Sequence, residues 1–296
     1  MTVRNRWMIG TLALPLLLSG CGLLPTTRHL PVPKAPSLVQ TTSPEELVEQ
    51  TDRRWNDFQS LTAKVEIKAT VLKAQEGLEK DYPSCEGRIV MQKPDSLRVV
   101  GRLGLVGVKI FDMASDGKTF TLLIPPKSKA IEGSNSVVKK AANPLENLRP
   151  DFFFDSMVVR GLDPEDYFSV INDTETVEDA AKKHLFTMPE YVLNISRHGT
   201  EGHRDIPVRV ITFHRDDLLP YNQDLYDKEG NLESQVTYSG YRDFPTGRFP
   251  TRVVIKRPLE GVQISMTVDW VDTNVKLPAG EFTVNIPEGT QIQHLE

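Results

Sequence analysis

The sequence predicts an α+β fold, one highly curved antiparallel sheet of about ten to eleven strands with helices covering its concave side. Three observations predict it. Apolar and polar residues alternate with a period of two through two long stretches, 65–133 and 191–286. The gaps between runs are short and carry turn chemistry, so neighbours join as hairpins and not through the long crossovers that parallel strands need. Between the two stretches, 134–190 breaks the alternation and holds helix-start signals.

The chain opens with Arg4 and Arg6, an apolar run over 7–18, then Ser19, Gly20 and Cys21. A basic start, a short apolar core and small residues at the cut site form a secretory signal peptide over 1–20. The run is too short for a comfortable membrane span, and Pro15 interrupts it. A cysteine directly after the small pair resembles the lipobox of bacterial lipoprotein leaders. That resemblance implies an acylated, palmitate-type anchor on Cys21 as the new N-terminus; the other reading is an ordinary leader or anchor helix. Removing the leader's two arginines from a chain of net charge −5 leaves −7, and no basic run remains. A nucleic-acid partner is therefore not expected. With Cys21 lipidated, Cys85 has no intrachain partner, so no disulfide framework is expected.

Residues 21–42 carry Pro25, Pro31, Pro33 and Pro36 and read as an extended tether. The folded domain then takes 43–296. Ser43-Pro44-Glu45-Glu46 starts a helix: Ser43 caps, Pro44 suits the first position and Glu46 can close a capping box. Leu47, Val48, Trp55 and Phe58 fall near one stripe of it, fit to pack on a sheet or to close the mouth of a cavity.

Val65, Ile67, Ala69 and Val71 then alternate with charged or polar neighbours. Cys85, Ile89 and Met91 mark a second strand, and Leu97, Val99 and Leu103 a third. Further strands are expected at 108–114, 119–124 and 130–133, with turns at Lys93-Pro94-Asp95-Ser96, Ser115-Asp116-Gly117-Lys118 and Pro125-Pro126-Lys127. One side of these strands is apolar and the other charged, so the sheet is covered on one face. In the middle region, Asn143-Pro144 and Pro150-Asp151 start helices, the second rich in phenylalanine. Residues 163–168 can form a short third helix, and 174–183 reads as an acidic loop. Strands resume at 191–196, 208–214, 218–226, 234–241, 248–256 and 262–270, with a last short one through Phe282, Val284 and Ile286.

No catalytic constellation stands out. There is no Gly-x-Ser-x-Gly elbow, phosphate-cradling loop or Cys-x-x-Cys pair, so the chain is not expected to be an enzyme and no cofactor is expected. His198, His203 and His214 would have to converge to hold a metal, and strand-end histidines are commoner, so no metal centre is expected. Cys85 reads as a small buried hydrophobe.

The order of elements, with the phrases Pro94-Asp95-Ser96-Leu97-Arg98, Asp227-Lys228-Glu229-Gly230-Asn231-Leu232, Tyr238, Tyr241, Phe249-Pro250-Thr251 and Ile286-Pro287-Glu288-Gly289, resembles the bacterial lipoprotein carriers typified by LolA and LolB. The phrases cover most of 44–290. The resemblance implies an open, incomplete β-barrel under a helical lid, with an apolar cavity that binds acyl chains of lipoproteins or phospholipids. It implies Val65, Ile67, Ile89, Leu97, Val99, Ile264, Met266 and Val268 as inward residues, which ordinary core packing would use equally. It further implies an anchored acceptor on the periplasmic face of the outer membrane, served by a soluble periplasmic carrier. Gly22, where an aspartate would favour the inner membrane, fits that placement. Leu105 and Val106, in Gly104-Leu105-Val106-Gly107, would be a membrane-inserting loop. The alternative is a non-transport envelope lipoprotein of the same fold with a filled core, acting through protein–protein contacts at 134–205.

Overall fold

The computed structural model describes residues 38–73, 77–135, 149–179, 184–199 and 204–295. The leader, Cys21, most of the tether and the helix start at 143–146 lie outside the described residues.

The first element is helix α1, Pro44–Asp57. The Ser43 hydroxyl accepts the Glu46 N–H at 3.1 Å, the cap expected. The Glu46 carboxylate accepts the Thr42 hydroxyl at 3.0 Å, one residue short of the full capping box. The helix stops at Phe58, whose backbone is extended.

The first run forms β1 (Ser60–Lys73), β2 (Leu78–Asp81), β3 (Cys85–Gln92), β4 (Ser96–Leu103), β5 (Val108–Ser115), β6 (Thr119–Ile124) and β7 (Lys129–Ser134). Helix α2, Pro150–Met157, follows. The second run forms β8 (Asp166–Asp179), β9 (His184–His198), β10 (Asp205–His214), β11 (Pro220–Tyr226), β12 (Leu232–Phe244), β13 (Gly247–Arg257) and β14 (Val262–Thr273), with β15 (Gln291–Leu295) at the end. Among the described residues these make one sheet, in the order β15-β7-β6-β5-β4-β3-β1-β14-β13-β12-β11-β10-β9-β8, with β2 also on β1. The two runs meet where β1 pairs with β14, Val65 opposite Val268 and Ile67 opposite Met266. The sheet is unclosed: β15 and β8 end it.

The sheet is strongly curled. α2 touches β4, β5 and β13. From β5 to β13 is five strand steps, about 24 Å across a flat sheet at roughly 4.8 Å each. A helix about 10 Å wide reaches both only if the sheet wraps around it. The side facing α2 is apolar, as in β3, where Cys85, Gly87 and Ile89 are buried and Glu86 and Arg88 exposed. Two cores result. The larger joins β1, β3–β7 and β12–β14 to Phe152, Phe153, Phe154 and Met157 of α2. The smaller sets Leu47 and Val48 of α1 on Leu193, Ile195, Ile211 and Phe213.

Five expectations are corrected. Among the described residues the strands number fifteen, not ten or eleven. Residues 163–168 form no third helix, and 174–179 is not loop: 166–168 and 174–179 belong to β8, which pairs with β9 along its whole length. The helix-start signature Asp163-Pro164-Glu165-Asp166 instead makes a turn, closed by the Asp166 N–H to the Asp163 carbonyl at 3.0 Å, and long-range pairing then outweighs local propensity. Phe282, Val284 and Ile286 form no strand. Their segment is held to the polar face of the sheet by Arg88 Nη1 on Glu281 Oε1 at 2.6 Å and Arg98 Nη1 on the Glu281 carbonyl at 2.9 Å. The closing strand is β15, which lies parallel on β7, so the sheet is not wholly antiparallel.

Candidate functional site

A cavity of about 530 Å³ opens between the end of α1, the end of α2 and the β12–β13 hairpin. Its walls are chiefly apolar: Trp55, Phe58, Leu61, Met157, Val158, Val159, Tyr238, Tyr241, Phe249 and Pro250. Arg54 and Arg248 stand among them. The walls are built locally. Trp55 and Phe58, three residues apart at the helix end, stack with centroids 6.0 Å apart. Phe154 of α2 meets both edge-on, at 6.4 Å from each. Tyr238 and Tyr241 bring hydroxyls into this apolar surround. Tyr238 receives a hydrogen bond from Gln223 Nε2 at 3.3 Å, and Tyr241 donates to the Pro220 carbonyl. Burial pushes both phenols up, well above the ordinary range, so both stay neutral.

The helices are held over the interior by Arg160, just past α2. It pairs with Asp95 of the β3–β4 turn at 2.7 Å and with Asp155 of α2. Its guanidinium lies 4.8 Å from the Phe154 ring centre and 5.4 Å from that of Trp55. Lys93 Nζ lies 4.1 Å from the Trp55 ring centre and donates to the Trp55 backbone carbonyl.

A second cleft, about 470 Å³, lies beside α2 and is charged. Arg149, Arg160, Arg197, Arg209 and Arg257 share it with Asp151, Asp155, Asp163 and Glu233. Burial, then Asp155 and Asp95, pushes Asp151 up to about 6. Arg209 is buried and donates to the carbonyls of Arg160 and Gly161 at 3.0 and 2.9 Å.

The eight residues expected to face a ligand, Val65, Ile67, Ile89, Leu97, Val99, Ile264, Met266 and Val268, are all buried in the larger core. None is in the wall of the 530 Å³ cavity. The wall comes instead from the rim: the helix ends and the β12–β13 hairpin. Trp55 and Phe58 of the α1 stripe were legible as candidates to close a mouth. Tyr238, Tyr241 and Phe249 stood in the phrases of the resemblance, but no spacing rule marks a rim. Leu105 and Val106 sit at the tip of the β4–β5 hairpin with relative exposures of 109% and 87%. Gly104 and Gly107 close that turn, both at positive φ, with the Gly107 N–H on the Gly104 carbonyl at 3.0 Å.

Cys85 is free, buried and pushed upward by desolvation, a poor nucleophile. His198 pairs with Asp205 at 3.0 Å, while His214 lies on the far strand end by Glu190; His203 is outside the described residues. No described helix is long and apolar enough to cross a membrane.

No family model and no curated protein matches the sequence. Solved structures do. The chain is similar to a LolA superfamily protein from Nitrosomonas europaea at 14% identity and a TM-score of 0.48, over 82% of this chain and 99% of that one. It is similar to a domain named for outer membrane lipoprotein sorting from Vibrio parahaemolyticus at 10% identity and a TM-score of 0.49, over 80% and 95%. These are likenesses in the course of the chain.

Proposed function

We propose that the protein is an envelope lipoprotein, anchored through Cys21, that takes acyl chains of lipoproteins or phospholipids into the cavity beneath α1 and α2 and passes them to the bilayer. The cavity carries this reading: its volume lies in the usual range of about 300–1,000 Å³ for small-molecule sites, and its walls are chiefly apolar. No covalent chemistry is required. Each methylene taken out of water contributes about 0.8 kcal/mol, so the relative burial offered by carrier, cavity and bilayer sets the direction of transfer.

The hairpin tip fits the same role. Leu105 and Val106 point into solvent, while Arg102 and Lys109 pair across the strands at its base. Apolar tips above a cationic collar suit an anionic membrane surface. The proline-bearing tether that the sequence implies between Cys21 and the domain would let the domain lean back onto the bilayer that holds its anchor. The periplasmic face of the outer membrane is the placement that the sequence resemblance implies.

Protein extracted from membranes is expected to carry lipid detectable by mass spectrometry. A fluorescent fatty acid is expected to bind, and Val158→Trp, which fills the cavity, to weaken it by about tenfold or more with the fold unchanged. Equal binding by the variant overturns the assignment of the cavity. Leu105→Glu with Val106→Glu is expected to reduce flotation with anionic vesicles; undiminished flotation removes the hairpin from the mechanism. One observation favours the second reading, a non-transport lipoprotein acting through protein contacts: the eight inward residues are all buried in the larger core and none borders the cavity. A lipid-free protein with a stable partner would be its signature.

A further inference from the structure

Two ring contacts from the cavity wall, through Tyr221 to Tyr241, three side chains converge towards the outer edge of the sheet: Glu175 of β8, Glu190 of β9 and His214 of β10, with one ligand atom from each within 4.8 Å of the others. We propose that they form a binding site for a divalent first-row metal ion, with Zn²⁺ the fitting member.

The register puts them there. Glu190 lies directly opposite His214 on one side and Asp173 on the other, so all three share a face. Glu175, two residues past Asp173, is on that face too, as a diagonal neighbour. The spacing suits ligands of one ion. Glu190 Oε1 is 3.3 Å from His214 Nε2. Two ligand atoms on a tetrahedral ion, at bonds of about 2.0–2.1 Å, lie roughly 3.4 Å apart. The Glu175 side chain is exposed and free to swing the remaining distance, and leaves the ion an entrance from solvent.

A second, separate observation points to a ligand. Glu190 is only 6% exposed, yet its Oε1 has no hydrogen-bond partner. A buried carboxylate oxygen without a donor is costly, and beside a second carboxylate it draws positive charge, either a proton or a metal ion. His214 presents its Nε2 to the Glu190 carboxylate. The ring is already oriented: it stacks on Tyr221 with centroids 3.4 Å apart. One imidazole and two carboxylates are a borderline nitrogen and oxygen set, which suits Zn²⁺ better than Mg²⁺ or Ca²⁺. Three protein ligands leave a fourth position for water. The ion would staple the edge strand β8 to β9 and, beyond it, β10.

The test uses the full mature chain without a histidine tag, stripped with chelator and titrated with Zn²⁺ by calorimetry. One ion per chain and a Zn²⁺-dependent rise in melting temperature are expected. Glu190→Gln and His214→Ala are each expected to weaken binding about tenfold or more. His198→Ala, at the exposed pair with Asp205, is expected to change nothing and excludes adventitious histidine binding. Chelator-stripped wild type that takes up no Zn²⁺, or either ligand variant that binds as wild type does, overturns the proposal. A variant that misfolds is recognised by circular dichroism, and Glu175→Gln, on an exposed side chain, then gives the same reading.

Discussion

Phe154 joins the helices to the curled sheet. It is wholly buried, meets Trp55 and Phe58 edge-on and lies under Arg160. Phe154→Ala is expected to cost about 3–5 kcal/mol in urea unfolding, since neither helix can collapse into the hole without leaving the other. Asp151, in the first turn of the same helix, sets a pH dependence. Its folded pKa is raised from 3.8 to about 6. Between those values the folded chain holds a proton that the unfolded chain has released. Its contribution to stability is therefore complete below about pH 4 and lost as pH rises through about 6. Unfolding of the wild type against Asp151→Asn, which does not titrate, is expected to show the wild type's relative stability falling over that window. At this scale much was legible. Ser43 caps, Cys85 is buried, and the alternating residues face inward as their period requires, except Leu103, which is exposed beyond the register shift at the end of β4. Which buried residues border empty space was not, because burial and cavity lining look alike in a pattern of apolar positions.

Among the elements, β4 and β5 are locked by charge. Asp112 is fully buried and accepts Arg98 Nε and Nη2 at 2.9 Å each, with Lys109 Nζ at 2.6 Å. Burial alone would raise its carboxyl; the two cations override that and hold it below the ordinary range. Arg98→Met is expected to cost about 3 kcal/mol in thermal or urea unfolding, because it strands most of a buried charge. The strands of both runs were legible where one face is apolar and the other charged. β8 was not. It is an edge strand with exposed acids at Asp173 and Glu175, a composition that reads as loop and that protects a sheet edge from further pairing. Only its neighbour β9 makes it a strand.

Over the whole molecule, one end of the sheet is distant in sequence from its partner. β15 lies parallel on β7, Leu295 beside Gly133, and Leu295 is part of the larger core. A chain ending at residue 290 is expected to lower the urea midpoint and to expose the edge of β7, seen as faster amide exchange over 129–134. The sequence by itself determined the elements whose reasons are local: α1 from its cap and stripe, α2 from Pro150 and its phenylalanines, and the hairpins from their turns and their period of two. Only the tertiary structure decided that the strands form one unclosed, curled sheet, that β15 runs parallel, that the apolar space lies at the rim, and that Glu175, Glu190 and His214 meet. Alternation tells a side chain which face to take. It carries no record of which strand will lie opposite, or of how tightly the faces close once the sheet bends.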